Sequence, residues 1–192
     1  MYVRGAKNRE EVWLLDKLDE LGLQDPAFRS RDYVVALDET TGEKAGFGRI
    51  RLHKNDTTVC EFMAIGVLEE WRGQGVGAHI VERLVELARD QGFEFGYILT
   101  TEGGYFSQFG FNAISVEELP DQLRPRYEDV KEHKGDDAIP MRLKLSDFSF
   151  PERFREEFKQ AGSEETPEDD EEEPEDFGID TDSATYKYDT GE

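Results

Sequence analysis

The sequence predicts a mixed α/β protein of the α+β kind, with a central, mostly antiparallel mixed sheet flanked by helices. Three observations carry this. An apolar run, Phe62 to Leu68, feeds a turn with glycines at positions 73, 75 and 77. An amphipathic segment follows at once, with Val76, Ile80, Val81, Leu84, Val85, Leu87 and Ala88 at helical spacing. Upstream, two strand-like runs flank Glu39-Thr40-Thr41-Gly42, as the arms of a hairpin do.

Taken in order, Tyr2 to Ala6 reads as a first strand. Asn8 is placed to cap a helix from Arg9 to about Gly22, with Val12, Leu14, Leu15, Leu18 and Leu21 as its apolar residues. Asp25-Pro26 opens a short helical turn. Tyr33–Leu37 and Lys44–Leu52 form the hairpin, and Val59–Val67 is the next antiparallel strand. The helix after the glycines runs from about Gly75 to Gln91, where Gly92 ends it. Phe95–Thr100 then lies parallel to the preceding strand, because a helical crossover joins the two. Phe111–Val116 and Ile139–Leu145 complete the sheet. Between them, Leu119–Lys134 is polar, carries Pro120 and Pro125, and is expected to form a helical excursion.

A strand, a glycine-rich turn and a helix leave backbone N–H groups unpaired at the positive end of the helix, which favours bound phosphate. The Walker A pattern fails here, because Ala78-His79 stands where Lys-Ser/Thr is required. The dinucleotide fingerprint fits only in degenerate form, without its third glycine. What remains is Arg72-x-x-Gly75-x-Gly77. It resembles the pyrophosphate-binding signature, Gln/Arg-x-x-Gly-x-Gly/Ala, of the GNAT acetyltransferases. Glu61 to Val67 resembles that family's central strand, Phe95 to Thr101 the next strand, and Tyr105 to Phe111 its short helix and Gly-Phe turn. The resemblance spans roughly residues 2–145.

It implies acetyl-CoA as acetyl donor. Pantetheine would lie against Ile65, Gly66 and Val67. Pyrophosphate would lie on the N–H groups of Arg72, Gly73, Gln74, Gly75, Val76, Gly77 and Ala78. Phe106 and Phe109, with Tyr105, would pack the cofactor. Phe106 occupies the position where many members carry a tyrosine acid, so a dedicated acid is in doubt. Glu61 is the candidate base, because a carboxylate in an apolar strand is costly unless paired or used; a solvent-facing strand glutamate is the alternative. His53, His79 and His133 show no metal-ligand spacing, and no metal is expected. Residues 60–134 also resemble the acetyltransferase domain of N-acetylglutamate synthase. They depart from it where Lys131-Glu132-His133-Lys134 replaces a basic run that holds carboxylates. Lys131, Arg29 and Arg31 are the candidate carboxylate holders.

Composition bounds the rest. The chain has 192 residues and a net charge of −22. Residues 162–192 hold 14 acidic residues and one lysine, and are expected to be a disordered tail. Residues 1–147 would form the catalytic domain and 148–161 an appendage helix. So acidic a body makes nucleic acid an unsuitable partner. Carboxylate richness with more arginine than lysine is also the composition of salt-accumulating archaea. The single cysteine, Cys60, permits no internal disulfide and reads as a small buried hydrophobe. No apolar run is long enough to span a bilayer, so a cytoplasmic monomer or homodimer with no membrane partner is expected. The expected reaction is acetyl transfer to a primary amine of a small molecule, most of all an amino acid. Acetylation of protein N-termini or lysines, and a non-catalytic acyl-CoA-binding module, are the other readings.

Overall fold

The computed structural model describes residues 1–161; the expected disordered tail, 162–192, lies outside the described residues. Thr58–Val67 forms β4, the strand on which the fold is built. It is apolar along most of its length because both of its faces are covered. On one side it pairs antiparallel with β3 (Lys44–Lys54), which pairs with β2 (Tyr33–Leu37), which pairs with β1 (Tyr2–Gly5). On the other side it pairs parallel with β5 (Phe95–Thr100), followed by β7 (Ile139–Lys144) and the two-residue β6 (Asn112–Ala113). The seven strands therefore run in the order β1-β2-β3-β4-β5-β7-β6. The parallel pairing of β4 and β5 is the one that the helical crossover requires.

That crossover is α2, Val76–Asp90. Its buried Val76, Ile80, Val81, Leu84, Val85 and Ala88 join Val34, Ile50, Phe62 and Ile98 in the larger core. Each large aliphatic group buried there contributes about 1.5–3 kcal/mol. The opposite face is covered in two places. Leu14 and Leu18 of α1 (Glu11–Glu20) pack on Tyr33, Val35 and Phe47. Tyr127 and Val130 of α4 (Arg124–Lys134) pack on Val59 and Leu99. Two shorter helices complete the layer over α2: α3 (Gly103–Ser107) and α5 (Glu152–Gln160).

Asn8 does not cap the first helix. Asn8 instead opens a 3-10 turn, Asn8–Glu10, capped by Lys7, that leads into α1, and Glu10 reaches back to accept the Lys7 N–H at 2.7 Å while also pairing with Arg4. A carboxylate that accepts from a guanidinium and a backbone amide outcompetes the neutral Asn8 amide. Those bonds hold the Glu10 carboxyl down to about 2. Val12 and Leu15, expected on the apolar face, are exposed. The strand expected over Phe111–Val116 shortens to β6, because Phe111 turns into the core and Ser115 opens a turn closed by Glu118.

The pairing of β3 with β4 contains an irregularity that decides the site. Phe47 faces Gly66 and Arg49 faces Met63, so Gly48 alone stands against Ala64 and Ile65. This is a β-bulge, and Ala64 takes the extra turn at φ +50°. Side chains on β4 consequently change face at the bulge. Glu61 reaches His53 and Arg126, whereas Ile65 and Val67 pack with α2.

A residue with Cβ at positive φ is strained by about 1–2 kcal/mol. Ala64→Gly, which ordinarily weakens a strand, is therefore expected to leave the melting temperature unchanged or higher. Ala64→Val places a β-branched group in the same conformation and should cost more than about 2 kcal/mol. Chemical denaturation of the two variants measures both.

Candidate active site

After the bulge, β4 runs into the glycine-rich turn. Gly73 and Gly75 hold φ +72° and +71°, and Gly75 stands at the N-cap of α2. Among the described residues, the N–H groups of residues 73 to 78 donate to no backbone carbonyl; the first return bond runs from the His79 N–H to the Gly75 oxygen. Six such groups at the start of a fifteen-residue helix form an anion cradle. Arg72 stands exposed beside it, with Nε 3.3 Å from the Val67 oxygen. These residues fit a pyrophosphate group.

The far wall of the cradle comes from α5. A Cβ on Gly75 would meet the Phe154 carbonyl oxygen, and Phe158 stacks on the His79 ring at 3.7 Å. Tyr105 of α3 places its hydroxyl against Gly77, with its ring packed edge-on to Phe106, Phe109 and Phe154. Burial pushes the Tyr105 phenol up to about 12.

The second half of the site follows from the bulge. β4 and β5 pair only at Cys60 with Gly96 and at Glu61 with Tyr97. Beyond Glu61 the strands separate, so one edge of β4, including Ile65, Gly66 and Val67, has no strand partner among the described residues. A pocket of about 50 Å³ opens at the point of separation. It is lined by Glu61, Met63, Ala64 and Leu99 from the strands, by Gly22 to Gln24, and by Arg126, Asp129, His133 and Lys134 from α4.

Glu61 is 1% exposed, so it is not the solvent-facing strand glutamate of the alternative reading. His53 Nε2 lies 2.7 Å from one carboxylate oxygen. Arg126 Nε lies 3.4 Å from the other, an ion-pair contact without hydrogen-bond alignment. Both partners are positioned by neighbouring elements, His53 by β3 and Arg126 by the first turn of α4. Burial lowers the Lys134 ammonium from its ordinary value, and the nearby Arg126 lowers it further. Cys60, next to Glu61, is fully buried, and its thiol is pushed up to about 12.

Other expected site residues stand elsewhere. Phe106 and Phe109 are core residues, because the turn after α3 folds them under Phe111, Phe148 and Phe154. Lys131 pairs with Glu128 at 3.1 Å and lies over the Tyr127 ring, outside the pocket. Arg29 and Arg31 line a separate groove. The side chains that do reach the pocket, Arg126 and Lys134, flank the expected one in the same basic segment. Among the described residues no group of three or more His, Cys, Asp or Glu side chains could hold a metal ion. No helix among them is long and apolar enough to cross a membrane.

Residues 4–111 match the Acetyltransferase (GNAT) family. The chain belongs to that family. As a GNAT chain it is 28% identical over 93 residues, 48% of its length, to the uncharacterized N-acetyltransferase CT2212 of Chlorobaculum tepidum. The match spans 57% of that relative. The fold is similar to Rv2747 from Mycobacterium tuberculosis, solved with CoA and NLQ. The TM-score is 0.63 at 20% identity, over 75% of this chain and 99% of that one. It is also similar to N-acetylglutamate synthase from Neisseria gonorrhoeae, solved with CoA and N-acetyl-glutamate. There the TM-score is 0.60 at 20% identity, over 74% of this chain and 34% of that one.

His79 ties α5 to the GNAT cradle, and its titration is readable. Burial lowers its imidazole below the ordinary 6.5, against the opposing pull of the Gly75 carbonyl and Glu82. A histidine held neutral contributes stability in full above 6.5, and that contribution is lost as pH falls through the lower folded value. His79→Phe keeps a ring against Phe158 and removes the titration. Between pH 7 and pH 5 the variant should lose less stability than the wild type in urea unfolding.

Proposed function

We propose that the chain transfers an acetyl group from acetyl-CoA to the primary amine of a small molecule, with an amino acid as the acceptor class. The observation that carries this reading is the pairing of an N–H cradle at the start of α2 with a buried glutamate where β4 and β5 part. When bound, acetyl-CoA supplies the activated acetyl thioester. Gly73 to Ala78 would hold its pyrophosphate, with Arg72 adding charge, and the open edge of β4 at Ile65 to Val67 would face the pantetheine.

An amine attacks only when neutral, so a proton must leave it first. Glu61 is the acceptor for that proton, directly or through one water. His53 and Arg126 keep its carboxylate oriented toward the pocket. Arg126 and Lys134 give the pocket a positive wall suited to the carboxylate of an amino acid. Its small volume and its roof of α4 favour such an acceptor over a folded protein's lysine.

Two measurements test this. Gly73 has open space around it and already holds the conformation that Asp and Asn tolerate best. Gly73→Asp should abolish the rise in melting temperature given by acetyl-CoA, whereas the neutral Gly73→Asn should retain most of it. Equal responses would remove the cradle assignment.

Glu61→Gln keeps shape and loses basicity. Turnover near neutral pH should fall by about 10²–10⁴ with acetyl-CoA affinity unchanged, and the defect should shrink as pH rises. A defect independent of pH would make Glu61 a structural partner of His53 and Arg126.

A further inference from the structure

The groove lined by Arg29 and Arg31 shares no residue with the Glu61 pocket. It arises where β2 ends. β3 pairs with β2 only as far as Arg49, and its remaining residues, Ile50 to Lys54, have no strand on that side. The loop before β2 and the outer face of α2 enclose this open edge, leaving a cavity of about 580 Å³.

Its walls carry Arg29, Arg31, Arg49, Arg51, Lys54 and Arg83, with Asp32 as the one carboxylate. Arg49 is neutralised by Asp25 and Asp32, and Arg83 by Glu86. Arg29, Arg31, Arg51 and Lys54 have no carboxylate within ion-pair distance among the described residues.

Four unpaired cations around one concavity are unexpected in a chain with twice as many acidic as basic residues. A charged residue or two suffices to protect a sheet edge from pairing with another chain. That need does not account for four cations, from the loop before β2 and from β3, lining one groove. Like charges gathered on one groove repel one another, though only weakly where they are exposed, as Arg29, Arg31 and Lys54 are. Arg51 carries a further cost, because its Nη1 is shielded from solvent with no hydrogen-bond partner. An anion seated between these guanidinium groups offsets both costs. Planar, multidentate donors select oxyanions.

We infer that this groove is a binding site for a small multivalent oxyanion, one carrying two or more phosphate or carboxylate charges. Arg29, Arg31, Arg51 and Lys54 are its ligands. The assignment rests on the groove alone and is independent of the donor and acceptor proposed above.

Pyrophosphate and citrate are the probes, titrated calorimetrically into the full chain against sodium chloride of equal ionic strength. Saturable binding of either, with none from chloride, is the expected result. A response to pyrophosphate alone marks a phosphorylated ligand, and a response to both marks oxyanions in general. Arg31 and Lys54 are exposed and unpaired, so the double variant Arg31→Glu/Lys54→Glu should fold normally. It should bind the probe at least about tenfold more weakly.

Gly73→Asp separates this site from the cradle at the start of α2, and binding to the groove should survive it. The inference is overturned if no probe binds saturably, if chloride acts equally, or if the double variant binds as the wild type does. Binding lost in Gly73→Asp and kept in the double variant also overturns it.

Discussion

One extra residue in β4 sets the geometry of the whole site. Without the bulge at Ala64, Glu61, Met63, Ile65 and Val67 would share one face, and β4 would continue straight beside β5. With it, the carboxylate end of the strand faces α4 and the other end faces α2. The strand bends away from β5 just past Glu61. The open edge of β4 and the pocket beside Glu61 are thus two products of one backbone irregularity. The strain at Ala64 is small beside the apolar burial that overdetermines both halves of the strand.

Around the bulge the chain places charge with care. Arg49 is 2% exposed and is held by Asp25 and Asp32, while Tyr33 donates to Asp25 at 2.6 Å. This network ties the loop from residue 22 to residue 32 against β3, so that Gly22 to Gln24 can form one wall of the pocket. Buried ion pairs of this kind add little net stability but are costly to break singly. Their effect here is to fix where a loop lies. The Glu61 trio has the same character, with β3 and α4 each contributing one partner.

The sequence made most of this legible, unevenly. The glycine turn and α2 could be read because the turn needs positive φ and the helix needs a continuous apolar stripe. Glu61 stood out as a charge inside an apolar strand. Its partners could not be read, because His53 and Arg126 reach it only through the register of β3 with β4 and the docking of α4. The bulge left no signal either, since Ala rather than Gly occupies it. Asn8 and the run from Phe111 to Val116 were misread for a shared reason. Local propensity favoured them, and contacts from elsewhere, Glu10 in one case and the core around Phe111 in the other, prevailed.

The brief union of β4 and β5 has a mechanical consequence. The sheet consists of two leaves, β1 to β4 and β5, β7 and β6, which share one core with α2 but whose strands pair with each other, among the described residues, at only two residue pairs. Any force that pries the leaves apart moves their free ends furthest and those two pairs least. Glu61 belongs to one of them. It is therefore the point of the sheet that a displacement of either leaf would disturb least.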